Sequence, residues 1–532
     1  MKNTTKALAI FISALLAAGA LTSCSKTAKN TSTETSAETT EAVITDEGVL
    51  ELLNSASEIP NTENAATITL SGNSASSSSE AVTVSGSEIT VKSGGTYVVS
   101  GTLTDGRIIV DAQGEEVVLV LNNADITCSY SSPLYIYKSS QTTVYLQAGT
   151  ENTLTDGESY NYSDSYSSEA DEEPNACLYS KSDLVISGSG TLTVNANYNN
   201  GITGKDTLQI ENCTLNVNAK NHGINGKDNL TVKTATVNVN ANGDALRSTN
   251  DTDTTLGYIV IADSALDLTA GEDGIQAETY VKIGGGTTNI KSGGGSSVTA
   301  SDETSSKGIK AETEIVIDGG TYNIDSSDDA IHSNGTVTVN SGDLTLTTGD
   351  DGIHGDSQVT VSGGNINITA HEGIEGTLVT INDGTINISA SDDGINAAQK
   401  VTGVTPTVEI NGGDITITMG QGDTDAIDSN GNITINGGTV NITAQSPFDY
   451  DGQGVINGGT VYVNGTQITT LTNQFAGGMG GGMQGGFGGM QGAPQGEQGN
   501  AQGNANSQDS SQAEQGRPSG TPPQGGRGGF HG

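Results

Sequence analysis

The chain has 532 residues, 33% of them hydrophobic and 4% aromatic, with 74 glycines and no tryptophan. Its 62 Asp and Glu against 20 Lys and Arg leave a formal net charge of −42. A surface this acidic repels nucleic acid and anionic lipid, which excludes them as partners; it attracts cations, and reaches anionic polymers only through a bridging cation.

At the N-terminus Lys2 and Lys6 precede an apolar run over residues 7–21. The run is too short to span a membrane and reads as a secretory signal over residues 1–23. The string LTSC that follows resembles the bacterial lipobox. That resemblance implies a lipidated Cys24 and a protein anchored on the extracellular face of a bacterial membrane. Residues 24–65, rich in Ser, Thr and Glu, read as a disordered spacer. From residue 473 a Gly/Met/Gln-rich stretch runs into a Gln/Gly/Pro/Ser tail to residue 532, also of a composition that cannot pack a core.

Between them, residues 66–472 carry a recurring phrase: NNGITG, NHGING, GDALRS, EDGIQA, SKGIKA, DDAIHS, DDGIHG, HEGIEG, DDGINA and TDAIDS. Its small residue falls at Gly201, Gly223, Ala245, Gly274, Gly308, Ala330, Gly352, Gly373, Gly394 and Ala426, a period of about 22 residues with three longer intervals that read as loop insertions. Residues 359–376, VTVSGGNINITAHEGIEG, show the content of one repeat: apolar residues alternate with Thr, Asn and Ser in short strands, divided by Gly, Asn and Asp. No 3.6-residue apolar period is present. Strands without helices at this period predict an all-β fold, a right-handed parallel β-helix, that is, a solenoid of about 22 residues per coil. The Ile after each corner is expected to form an interior column, and Asn216, Asn238, Asn289, Asn323, Asn367, Asn387 and Asn441 a stacked amide column. Cys128, Cys177 and Cys213 are odd in number and lack zinc spacing. Cys177 aligns with the corner glycine, as a small buried residue.

Before each Ile, many repeats carry carboxylates: Asp244, Glu272, Asp273, Asp328, Asp329, Asp350, Asp351, Glu372, Asp392, Asp393, Asp423 and Asp425. If the repeats are in register these line one edge, where like charges recruit a cation. Calcium suits them, since it accepts six to eight oxygens in flexible geometry. From Asp273 onward these acids are the candidate metal ligands. The alternative is that each Asp only caps its own turn.

An enzyme reading finds less support. Polygalacturonase-type strings (NTD, RIK) are absent, and the Asp pairs recur at one phase, which a single active site does not require. A lyase needs a basic side chain beside calcium, for which Lys205, Lys227, Arg247 and Lys310 are candidates; the first three are also candidates for touching glycan. Tyr160, Tyr162 and Tyr166, in a Ser/Tyr/Asp-rich insertion, are candidates for stacking on sugar. His332 and His354 share a phase with Asn225, Gln276, Lys310, Glu375, Asn396 and Asp428; a column so variable is expected to face solvent rather than hold metal.

The phrases GTYVVSGTLTDGRIIVDA and VVLVLNNADITCSYSSPLYI, the DDGI repeats and the Gly/Met/Gln tail together resemble one family, over about residues 80–470. It is the bacterial carbohydrate-binding-domain family, built on a right-handed parallel β-helix and known as calcium-containing binders of cellulose and acidic pectin. The resemblance implies calcium at the acidic corners and affinity for polygalacturonate. The expected function is a non-catalytic cell-surface lipoprotein that binds an acidic polysaccharide through calcium. The alternatives are a pectate or polysaccharide lyase and a structural adhesin or stalk. Oligomeric state has no signature in the sequence.

Overall fold

The computed structural model describes residues 59–301, 304–421 and 424–473. The signal segment, Cys24, the spacer through residue 58, Asp423 and the tail from residue 474 lie outside the described residues.

Alternation in the sequence becomes alternation in burial. The strand Thr191–Ala196 (TLTVNA) buries Leu192, Val194 and Ala196 and turns its Thr and Asn outward, and Ala265–Ala270 (ALDLTA) does the same. Each strand pairs, parallel and in register, with its counterpart one repeat away. The phrase strands align Ile202, Ile224, Leu246, Ile275, Ile309, Ile331, Ile353, Ile374, Ile395, Ile427 and Phe448 in one fully buried column. The small residue before each is forced by crowding: a Cβ at Gly352 would run into Ile368 and the carbonyl of Gly373. Cys177 sits at the same phase, opposite Gly201, and is buried with a free thiol. The amide column is real but interrupted. Asn238 donates to Asn216 (2.8 Å) and Asn387 to Asn367 (3.1 Å), whereas Asp267, Thr345 and Thr416 stand between other members.

The expected right-handed β-helix solenoid is corrected by the strand pairing. Where the sequence reads as two short strands divided by a glycine turn, Tyr280–Ser292 and Glu314–Ser326 are single strands of 13 residues, as is Glu116–Cys128, which has no glycine. In Tyr280–Ser292 the pair Gly285-Gly286 takes positive φ and shifts register, yet pairing resumes on its far side. Such strands belong to two faces at once and join them. Pairing runs from Glu116–Cys128 through Gln141–Leu146, Asp183–Ser187, Thr207–Glu211, Asn229–Lys233 and Tyr258–Ala262 to Tyr280–Ser292. It returns through Ala265–Ala270, Thr236–Ala241, Thr214–Ala219, Thr191–Ala196 and Glu151–Asp156 to Glu116–Cys128. The all-β expectation therefore stands, but as a closed parallel β-barrel of 12 strands with many strands, the phrase strands among them, paired outside the closed circuit. Its interior is packed with Ile, Leu and Val rather than open.

Candidate functional site

The acidic edge follows from the phrase strands. Because their Ile residues align, the residues one before the small residue and one after the Ile also align, as two parallel lines of ionisable groups. The first line contains Asp244, Asp273, Lys307, Asp329, Asp351, Glu372, Asp393 and Asp425; the second contains Arg247, Gln276, Lys310, His332, His354, Glu375, Asn396, Asp428 and Asp449.

Corner carboxylates cap turns: Asp328 accepts from the Asp329 backbone amide of its own turn (3.0 Å), and the others reach the turn of the next repeat. The backbone amide of Asp273 donates to Asp244 Oδ1 (3.1 Å), that of Lys307 to Asp273 Oδ1 (2.8 Å), that of Asp351 to Asp329 Oδ1 (3.0 Å) and that of Asp425 to Asp393 Oδ1 (3.2 Å). Burial, reinforced by the Asp244 carboxylate, pushes Asp273 up to about 6.

Charge balance divides the edge in two. In its upstream half Asp244, Asp328, Asp329 and Asp351 have basic partners. Lys307 Nζ lies 2.8 Å from Asp328 Oδ1 and 2.9 Å from Asp329 Oδ2, and His332 Nδ1 lies 2.7 Å from that same Asp329 oxygen. Burial opposes ionisation of Asp329, yet His332 and Lys307 hold its carboxyl well below the usual carboxylate range. Asp328, Asp329 and Asp350 bring three carboxylates within 4.8 Å of one another, with the Lys307 ammonium already on two of them. His354 Nδ1 meets Asp351 Oδ2 (2.6 Å) and Glu375 Oε2 (3.2 Å), and Lys400 Nζ reaches that Glu375 oxygen (2.9 Å). Burial raises Asp351 above the usual carboxylate range; it works against protonated His354, but the facing carboxylates hold that imidazole up to about 9.

In the downstream half, Glu372, Asp392, Asp393, Asp428, Asp449 and Asp451 make no ion pair with Lys or Arg among the described residues. Burial first, then the neighbouring Asp428, Glu372 and Asp392, raise Asp393 to about 7; burial, then Asp449 and Asp425, raise Asp428 to about 6. Asn396 donates to Glu372 Oε2 (3.0 Å) and Glu375 Oε1 (3.3 Å); its buried Oδ1 and the buried Thr424 Oγ1 beside Asp425 have no partner among the described residues. Unsatisfied buried oxygens beside uncompensated carboxylates fit a hard cation of the calcium type, which accepts carboxylate, amide and hydroxyl oxygens alike.

The other sequence candidates fall elsewhere. The His column is not solvent-facing: His354 is 7% exposed and Glu375 6%, because partners on adjacent repeats cover them. Only the stacking of repeats supplies that cover, so variability along the column was a poor guide. Lys205 and Lys227 do share a phase one repeat apart, but Arg247 aligns with Asn225, two positions earlier, against Asp244 and His222. Lys205 pairs with Glu173 (2.9 Å). The tyrosines are used internally. Tyr160 stacks on Tyr198 with centroids 4.3 Å apart and donates to Asp156; Tyr162 donates to the Pro174 carbonyl; Tyr166 packs edge-on against Tyr137 and accepts from Lys92. A second surface went unread in the sequence. It is a polar groove of about 670 Å³ lined by Asn195, Asn197, Asn218, Asn240, Asn242 and Lys220 among others, on the outward side of the Thr/Asn strands. The related strings TVNAN, NVNAK and NVNAN at residues 193–197, 216–220 and 238–242 were its signal.

A relative from Acetivibrio thermocellus, described as a carbohydrate-binding domain-containing protein, is 42% identical over 216 residues, covering 40% of this chain and 74% of the relative. A solved structure titled as the polysaccharide lyase-like protein from C. thermocellum, gadolinium derivative, is 32% identical, with a TM-score of 0.42, and covers 49% of this chain and 96% of its own. The family model for carbohydrate-binding domain-containing proteins matches residues 85–352 and 350–476, most of the chain, and the protein belongs to that family.

Proposed function

We propose that the protein is a non-catalytic, lipid-anchored surface protein that binds an acidic, pectin-like polysaccharide through calcium. The observation that carries this reading is the downstream acidic edge: among the described residues Glu372, Asp392, Asp393 and Asp428 make no ion pair with Lys or Arg, and the buried oxygens of Asn396 and Thr424 beside them have no hydrogen-bond partner. Calcium there neutralises the edge and keeps open coordination positions for uronate carboxylates. Asp328, Asp329, Asp350 and Asp351 are weaker ligands in this reading, because Lys307 and His354 already neutralise them. Repetition along the edge adds avidity toward a repeating polymer. The Asn-lined groove supports a second reading, hydrogen bonding of a neutral glycan without metal.

Incubation of the mature protein with polygalacturonate and with neutral glycans, with calcium or with EDTA, separates these readings. Calcium-dependent co-sedimentation with polygalacturonate, without unsaturated product, is the expected result. Calcium-independent retention on a neutral glycan moves binding to the groove, and steady formation of unsaturated product overturns the non-catalytic reading.

A further inference from the structure

Two of the chain's five histidines lie stacked on adjacent repeats, with ring centroids 4.6 Å apart. Each has an acceptor at both nitrogens. His332 faces Asp329 Oδ2 (2.7 Å) and Asn334 Oδ1 (2.9 Å); His354 faces Asp351 Oδ2 (2.6 Å) and Asp356 Oδ1 (3.1 Å). This is the arrangement of an imidazole oriented for metal: one nitrogen donates to an outer carboxylate or amide, which fixes the ring and its tautomer, and the other points at the ligand set. At His354 the inward Nδ1 meets two carboxylates, since Glu375 Oε2 is also 3.2 Å away. Asp351, His354 and Glu375 are all buried, their ligand atoms lie within 4.8 Å of one another, and a second set, Asp329, His332 and His354, meets the same limit.

We propose that Asp351 Oδ2, His354 Nδ1 and Glu375 Oε2 form a site for one divalent transition-metal ion of the imidazole-preferring class, with zinc as the type case. The ion takes the place of the His354 Nδ1 proton, which is released, while Nε2–H stays on Asp356. Metal–nitrogen and metal–oxygen bonds of about 2.0–2.2 Å set tetrahedral ligand edges of about 3.3 Å. The Nδ1–Oε2 separation already has that value, and the Nδ1–Oδ2 separation opens by under an ångström. Asp329 and His332, which form the second set with His354, lie on the preceding repeat and leave the fourth coordination position to solvent. Lys400, its side chain 34% exposed, leaves the Glu375 oxygen for solvent. The nitrogen ligand separates this site from the all-oxygen calcium edge, because hard cations gain little from imidazole. The assignment is independent of any glycan reading.

The test uses the untagged full chain in excess calcium, titrated with zinc while proton release is followed, and with cobalt while its visible spectrum is followed. One ion per chain is expected, with proton release and a low-coordinate cobalt spectrum. Affinity should fall at least tenfold in both His354→Gln and Glu375→Gln and stay unchanged in the exposed His371→Gln. Thermal melting of each variant separates lost ligation from lost folding; if His354→Gln does not fold, Glu375→Gln and the cobalt spectrum decide. Absence of binding, equal affinity in Glu375→Gln, or displacement of zinc by equimolar calcium overturns the site.

Discussion

At the scale of single residues the phrase encodes two kinds of constraint. The Ile column is filled to contact, so Ile353→Ala leaves a cavity that its neighbours, locked by pairing on both sides, close only in part. Such truncations cost about 2–5 kcal/mol, and urea unfolding of Ile353→Ala should show a loss in that range. The corner position is limited by size rather than by backbone angle. Ala245, Ala330 and Ala426 occupy the same phase in other repeats, but at Gly352 an added Cβ would run into Ile368 Cγ2 and lie 2.5 Å from the Gly373 carbonyl oxygen, so even one methyl must displace backbone. Gly352→Ala should therefore lower the melting midpoint measurably. Gly352→Val drives a branched side chain into Ile368 and the Gly373 carbonyl, and should lower the midpoint by far more than the alanine variant.

Among whole elements, the segment between Glu151–Asp156 and Ala176–Ser180 is a strap fastened to the body by side chains. Arg107, 1% exposed, binds Asp164 and Glu88 at 2.7 Å each, and Glu173 receives Lys181 (2.6 Å) and Lys205 (2.9 Å). Burial works against the Glu173 carboxylate, but the two lysines hold it down to about 2. A carboxyl so depressed stabilises the fold in full above its ordinary value near 4.5 and loses that contribution as pH falls toward 2. The parent should lose melting temperature across that window more steeply than Glu173→Gln, which starts lower at neutral pH. An equal slope in both would remove Glu173 from the acid response. Much of this architecture was legible in the sequence: the period, the Ile column and the corner phase all come from residues that must repeat because each repeat meets the next. Two things were not. Gly285-Gly286 and Gly319-Gly320 carry turn composition, yet the chain passes through them without leaving the sheet, so closure into a barrel was hidden. The covering of His354 was hidden too: Glu375 stands at the same phase one repeat on, but the phrase does not show that its side chain meets His354, and Lys400, which holds Glu375, lies outside the repeated phrase.

Over the whole molecule the net charge of −42 acts as a load on the folded state, heaviest where acids have no basic partner. Calcium should raise the melting temperature of the full chain by mass action, and magnesium, which demands stricter octahedral geometry, by less. Asp393→Asn together with Asp428→Asn should abolish most of the calcium shift and raise the melting temperature in EDTA. Both carboxyls bind protons in the folded state below about 7 and 6, so protons compete with the ion, and the calcium shift should shrink as pH falls from about 8 to about 5. A calcium shift unchanged across that range would place the ion elsewhere.

Three antiparallel hairpins finish the ends of the parallel sheet. Ala66–Gly72 carries Ser74–Ser77, Glu88–Val91 carries Val82–Ser85, and Thr460–Val463 carries Thr466–Ile468, the last through Asn464-Gly465, both at positive φ. Every parallel strand at the end of a stack is a template on which another chain can grow, and regular repeats offer an incoming copy a matching register. The hairpins turn their own edges back on themselves, whereas at the C-terminal end Ser446–Tyr450 and Gly454–Ile456 pair on one side only among the described residues, which leaves Thr460–Val463 as the strand there that a hairpin guards. Removing Thr466–Ile468 should expose the Thr460–Val463 edge and yield end-to-end oligomers in sedimentation velocity; a truncated chain that sediments like the parent would mean that other residues guard that edge.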